Sequence, residues 1–189
     1  MTLHQQITRG VIPARLTVAD VLRLQDEGVI GEDENFELIA GEIVPMAAMK
    51  SGAHERIKNR LVRLLNRALP DALGVFVESS IPFAEDTYLE PDIAVFDAAL
   101  DTHRATGADM LLVIEVASSS IGFDLRVKSG LYAAFGVRDY WVIDAVRETV
   151  RVHREPGDSG YRAVVEWTAS QIVTPLLLPD LAIRLDRLT

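Results

Sequence analysis

The chain has 189 residues, 49% of them apolar and 25% charged, a balance that supports a globular core and excludes a disordered or collagen-like chain. Nineteen Lys and Arg stand against 28 Asp and Glu, a formal charge of −9, which argues against indiscriminate nucleic-acid binding because that rests on neutralising phosphates. There is no cysteine, so disulfides, thiolate zinc, iron–sulfur clusters and a cysteine nucleophile are excluded.

In chain order, Met1 to Gly10 are polar and no later apolar run is long enough to span a bilayer, so the expectation is a cytoplasmic protein with no membrane partner. Val18, Val21 and Leu22 recur at helical spacing behind Thr17, a hydroxyl N-cap, and Gly28 stops the run. Phe36 to Ile39 and Glu42 to Val44 flank the Ala40-Gly41 turn, the pattern of a hairpin. From Gly52 to Leu69, the residues Ile57, Leu61, Leu64, Leu65 and Ala68 share one face, and Pro70 follows, which predicts a long amphipathic helix. Strands are expected at Gly74 to Ile81, Tyr88 to Phe96 and Leu111 to Ala117. The last is apolar on both alternating faces except at Glu115, the pattern of a central strand. A second helix fits Phe123 to Phe135, with Val127, Leu131, Ala134 and Phe135 on its apolar face and Gly136 as its stop. Strands at Tyr140 to Asp144, Thr149 to Arg154 and Tyr161 to Trp167 follow, the last two joined by the turn cluster Pro156 to Gly160. No repeat or linker divides the chain. The expected class is α/β (α+β): a single domain over 1–189 with a mixed central sheet flanked by helices. Its core lies at about 50–145, with an N-terminal helix and hairpin at 16–46 and a β-rich extension at 148–186.

Three polar residues stand out. Asp92 heads the apolar run Ile93 to Phe96, and Glu115 interrupts the other apolar strand. Paired as neighbours, these strands set two carboxylates side by side, an arrangement that suits a hard divalent cation. Lys128 lies on the following helix with Asp124 one turn before and Tyr132 one turn after. A lysine there can stabilise an anionic transition state. Each has a plainer reading: a solvated strand-start aspartate, a structural Glu115–Lys128 ion pair, an Asp124–Lys128 surface pair, and a packing tyrosine. His54 reads as a cap or solvated residue. The four histidines, His4, His54, His103 and His153, have no ligand spacing, and Tyr140 and Trp141 read as core and edge aromatics.

Arg56, Arg60, Arg63 and Arg67 form one stripe on the long helix, and with Lys58 they face Glu55 alone, five basic residues against one acidic, or +4. The stripe is either a solvated face or a ridge for DNA phosphates or a second subunit. Residues 20–42 carry eight acidic residues against Arg23, or −7. This asymmetry suits complementary self-association, and a homo-oligomer, in particular a dimer, is expected.

The segments Glu90-Pro91-Asp92-Ile93-Ala94-Val95, Ile114-Glu115-Val116-Ala117, Asp124-Leu125-Arg126-Val127-Lys128 with Tyr132, and Asp139-Tyr140-Trp141-Val142-Ile143-Asp144 together resemble the bacterial Uma-type restriction endonuclease family of the PD-(D/E)XK nuclease superfamily. The resemblance takes in Phe36 to Ile43 and the helix opened by His54, roughly residues 16 to 155. It implies a restriction-endonuclease-like fold in which Asp92 and Glu115 hold Mg²⁺ or Mn²⁺, together with the main-chain carbonyl of Val116. A lysine is expected two residues after Glu115, where Ala117 stands, and Lys128 is the residue that matches a lysine moved to the next helix. Glu37, His54 and Glu78 match further polar positions, and Asp124 and Tyr132 are accessory candidates. The implied reaction is metal-dependent hydrolysis of a DNA phosphodiester. The residues themselves leave two other readings open: a catalytically inactive binding or assembly protein built on the Glu115–Lys128 pair, and a hydrolase of another phosphate ester.

Overall fold

The computed structural model describes residue 10 and residues 15–31, 34–46 and 50–188. Glu32 and Asp33 of the acidic run, His4 and the polar N-terminus up to residue 9 lie outside the described residues. The elements are α1 (Val18–Asp26), β1 (Phe36–Ile39), β2 (Glu42–Pro45), α2 (Gly52–Ala68), β3 (Leu73–Val77), β4 (Ile81–Ala84), β5 (Thr87–Leu89), β6 (Ile93–Asp97) and β7 (Leu112–Ala117). Then come α3, an unbroken helix made of Ile121–Phe123, Asp124–Lys128 and Ser129–Ala134, and the strands β8 (Asp139–Asp144), β9 (Thr149–Gly157) and β10 (Gly160–Thr168). They fall into two compact units, one from Met1–Met49 and Ser80–Glu90, the other from Lys50–Ser79 and Pro91–Thr189.

The first unit holds α1 and an antiparallel sheet in the order β2-β1-β5-β4. The Thr17 hydroxyl accepts the Asp20 N–H and the Asp20 carboxylate accepts the Thr17 N–H, a reciprocal cap that also sets an acidic group at the positive end of α1. Ala40 (φ 49°) and Gly41 (φ 78°) both adopt left-handed backbone, the two-residue turn whose twist matches a hairpin. Leu16, Val21, Leu24, Ile30, Phe36, Leu38 and Tyr88 form this unit's core.

The second unit is built on a six-stranded sheet in the order β10-β9-β8-β7-β6-β3. Only β7 and β8 run parallel, and α3 makes the crossover that a parallel pair requires. Alternation along the strands gives each face its own helix. Ile57, Leu61 and Leu65 of α2 pack with Ile93, Val95, Ile114, Val116, Trp141 and Ile143, each fully buried leucine contributing about 1.5–3 kcal/mol. On the other face Tyr132 of α3 lies 4.7 Å from the ring of Tyr140. Val173, Leu181, Ile183 and Leu188 close the first of these faces.

The structure departs from the sequence expectation in several places. The run Gly74 to Ile81 is two strands, because Glu78 takes a left-handed conformation (φ 48°) and β3 and β4 pair in different sheets. The run Tyr88 to Phe96 is likewise two, broken around Pro91, which has no N–H for a ladder. Ala68, at the end of α2, is exposed rather than part of its apolar face. The second helix starts at Ile121, before the expected Phe123. Among the described residues after Thr168 there is a single bridge, Val173 with Ile183, and a short turn of helix at Leu185–Arg187 instead of further strands. Among the described residues no helix is long and apolar enough to cross a membrane.

Candidate functional site

β6 and β7 are antiparallel neighbours with Ile93 opposite Ile114, and one further step along that register sets Asp92 opposite Glu115. Both side chains are buried, each residue 4% exposed. The Val116 N–H donates to Asp92 Oδ2 at 2.7 Å, and the Asp92 N–H points at Glu115 Oε2 at 3.4 Å. A charge buried this deeply must be paired.

For Glu115 the partners come from α3. Residues Asp124–Lys128 wind as a π-turn, with i→i+5 bonding such as Ser129 N–H to the Asp124 carbonyl. Such turns often accompany functional sites. Lys128 Nζ at 2.9 Å and the Tyr132 hydroxyl at 3.0 Å both donate to Glu115 Oε1. Asp124 and Lys128 are both buried, so they are not the surface pair that their spacing allows. The Asp124 carboxylate accepts the Ser120 hydroxyl at 2.8 Å and its carbonyl accepts the Tyr140 hydroxyl at 3.1 Å.

For Asp92 the partners come from α2 and the residue before its cap. His54 is buried, contrary to the solvated or capping role its sequence position suggests, and its Nε2 lies 3.1 Å from both Asp92 oxygens. Its Nδ1 is 3.2 Å from Glu55 Oε1. Lys50 Nζ is 2.8 Å from Asp92 Oδ1 and 2.5 Å from Glu78 Oε1. Lys58 Nζ reaches the same Glu78 oxygen at 2.7 Å and Glu55 Oε1 at 2.9 Å. The left-handed backbone of Glu78 costs on the order of 1–2 kcal/mol. Its N–H donates to the Pro91 carbonyl at 3.1 Å, which fixes it at the end of the β3–β6 ladder, beside the Asp92 turn.

The electrostatics follow from these contacts. Burial by itself pushes the Asp92 carboxyl up, but His54 and Lys50 outweigh it and hold Asp92 well below the usual carboxylate range. Burial works against the Lys50 ammonium, yet Asp92 and Glu78 keep it above the ordinary lysine range. Against the opposing push of burial, Lys50 and Lys58 lower the Glu78 carboxyl, and Glu78 and Glu55 raise the Lys58 ammonium.

Of the sequence candidates, the structure brings together Asp92, Glu115, Lys128, His54, Glu78 and Tyr132, with the Val116 backbone on Asp92. Glu37 lies in the first unit, where its Oε1 accepts the Glu90 N–H at 2.9 Å. Arg56, Arg60, Arg63 and Arg67 are all exposed along α2. Lys50 and Lys58 are absent from the sequence candidates. Lys58 had a signal, since it falls in the buried stripe of His54, Ile57, Leu61 and Leu65 rather than among the arginines. Lys50 had none.

Among the described residues, no three His, Cys, Asp or Glu side chains converge as a ready-made metal site. The chemistry of the donor set nevertheless fits a hard cation, because Asp92 and Glu115 are oxygen donors and Mg²⁺ is commonly held by one or two carboxylates with waters and substrate phosphate completing the shell.

Comparison with known proteins agrees with this architecture. A crystal structure described as a putative nuclease belonging to DUF820 from Anabaena variabilis ATCC 29413 superposes with a TM-score of 0.70 at 22% identity, covering 92% of this chain and 97% of that one. The two share a fold. The type IIG restriction endonuclease BpuSI aligns over 61% of this chain and 14% of its own, with a TM-score of 0.39 and 14% identity, too distant to bear on the site. Among curated proteins none matches the sequence. The family profile Uma2, described as "Putative restriction endonuclease", matches residues 18–186. With nearly the whole chain matched and the fold shared, this protein belongs to the Uma2 family.

Proposed function

We propose that the chain is a metal-dependent endonuclease that hydrolyses DNA phosphodiester bonds, with Asp92, Glu115 and the Val116 carbonyl as the ligands of Mg²⁺ or Mn²⁺. The observation that carries this reading is the pairing of Asp92 and Glu115 across β6 and β7, with Lys128 on Glu115. The cation would supply Lewis-acid polarisation of the scissile phosphate and a more acidic water. The chain's own residues do the rest. The Val116 N–H and His54 fix the Asp92 carboxylate from two sides, and Tyr132 and Lys128 fix one oxygen of Glu115. Glu78 holds Lys50, whose ammonium also lies on Asp92, so a positive group stands beside the carboxylate that a phosphate would approach. The exposed arginines of α2 supply a phosphate-contacting ridge.

The test incubates purified protein with supercoiled plasmid and Mg²⁺ or Mn²⁺, beside Asp92→Asn and Lys128→Met. Metal-dependent nicking that drops about 100-fold or more in each variant is the expected result, the scale on which loss of a transition-state electrostatic group acts. Absence of nicking in the parent protein, or equal nicking in all three, overturns the reading.

One observation favours a second reading. Lys128 and Glu115 form a closed pair with side chains 8% and 5% exposed, as a structural ion pair in a catalytically silent assembly protein would. That protein would bind no Mg²⁺ in calorimetric titration, whereas the nuclease binds it and loses the binding in Asp92→Asn. For either reading we propose a homodimer formed through β10, an edge strand of the six-stranded sheet.

A further inference from the structure

We propose that Lys50 is the lysine that faces the substrate, donating to a phosphate oxygen of the DNA, while Lys128 serves to hold Glu115. This deepens the nuclease reading and rests on it. Three lysines surround the two carboxylates and Glu78, and they differ in access. The Lys128 side chain is 8% exposed and shares Glu115 Oε1 with Tyr132. The Lys58 side chain is 5% exposed and held between Glu55 and Glu78. The Lys50 side chain is 31% exposed, at the solvent side of Asp92.

An ammonium group has three N–H donors. Asp92 Oδ1 and Glu78 Oε1 take two of those of Lys50, which leaves the third for an incoming oxygen. The Lys128 ammonium, by contrast, is buried inside the sheet–α3 interface, and drawing it out to a phosphate would leave Glu115 buried and less fully compensated. Position also favours Lys50. It immediately precedes Ser51, whose hydroxyl caps α2 by accepting the His54 N–H, so its backbone is anchored to the helix that carries His54. A flexible four-carbon stem on that anchor lets the amine move from Asp92 onto a phosphate while Asp92 takes up a cation. The contribution is electrostatic: the amine stabilises charge developing on the phosphoryl oxygens, and it exchanges no proton and forms no bond.

The experiment uses the full chain and three variants, Lys50→Met, Lys50→Arg and Lys128→Met. Their readouts are single-turnover nicking of supercoiled plasmid, thermal midpoint, and the salt dependence of affinity for a short fluorescent duplex. Lys50→Met should nick about 100-fold more slowly with a smaller loss of thermal midpoint than Lys128→Met, and the slope of log affinity against log salt should fall by about one. Lys50→Arg should recover part of the rate and all of the slope. Lys128→Met should lower the thermal midpoint sharply and leave the slope unchanged. Nicking by Lys50→Met at the parent rate, or an unchanged salt slope, overturns the assignment while the nuclease reading stands. A parent protein that does not nick with either metal overturns both.

Discussion

His153 is buried between the rings of Tyr140 and Tyr161, whose centroids are 5.3 and 5.6 Å away, and its Nδ1 has no hydrogen-bond partner among the described residues. Burial disfavours the imidazolium there and holds His153 below the usual histidine range, against weaker support from backbone contacts with Tyr140 and Arg151. An unfolded chain takes up this proton near pH 6.5 and the folded chain only at lower pH. Between those points the unfolded state binds more protons, so stability is full above about pH 6.5 and falls as pH drops toward the folded value. The thermal midpoint is therefore expected to decline as pH falls below about 6.5, and His153→Phe should flatten that decline. An equally steep decline in the variant would assign it to other groups. Asp92 acts in a separate window: its lowered carboxyl contributes stability above about pH 3.9 that is lost only as pH falls toward its folded value. The two titrations can thus be told apart in one pH series.

At the scale of elements, Asp139 shows how strands and segments are fastened together. Its fully buried carboxylate accepts the Trp141 indole N–H at 2.9 Å, Arg154 Nε at 2.8 Å and the Leu176 N–H at 2.6 Å. It thereby ties β8 to β9 and to the segment after β10. Asp139→Ala would leave a partly buried guanidinium and two N–H donors uncompensated, at a cost of about 3–5 kcal/mol in urea denaturation. A loss under about 1 kcal/mol would show that water replaces these bonds at little cost. Separation along the chain decides what the sequence reveals. The hairpin at Ala40-Gly41, the capped α1 and the amphipathic α2 rest on contacts a few residues apart, and they are legible. Glu115 is legible too, because a charge in a doubly apolar strand demands a partner. The breaks at Glu78 and Pro91 are not, since each follows from the separate sheets in which the flanking strands pair. The π-turn is equally hidden, as Asp124–Lys128 reads like any helical segment and only its seat against β7 shows the extra residue. Gly107 is a further case: a Cβ there would overlap the Phe135 carbonyl at the end of α3, a constraint visible only in three dimensions.

Across the whole molecule, the net charge of −9 conceals unlike surfaces, and the exposed arginines of α2 make local DNA contact compatible with it. Contact of this kind is weakened by salt, and assembly would offset that weakness by presenting two such stripes. The edge strand β10 offers the means. It is nine residues long, with Val164 and Val165 about half exposed, and lacks the lysines or prolines that usually blunt a sheet edge. Antiparallel pairing with a second copy about a two-fold axis at Val164 would set Arg162 opposite Glu166 and Ala163 opposite Val165, a self-complementary register. Within each hairpin Arg151 already pairs with Glu166 and Arg162 lies 3.8 Å from Glu155, so the joined edges would form a ladder of alternating charge. The parent chain of 20.8 kDa should then sediment at about twice that mass. Val164→Lys, which would bring two ammonium groups face to face on the axis, should return it to the monomer. Val146→Lys, at an exposed residue outside β10, should leave the mass unchanged. A monomeric parent, or a dimer indifferent to Val164→Lys, would remove β10 as the contact and leave each chain with a single arginine stripe.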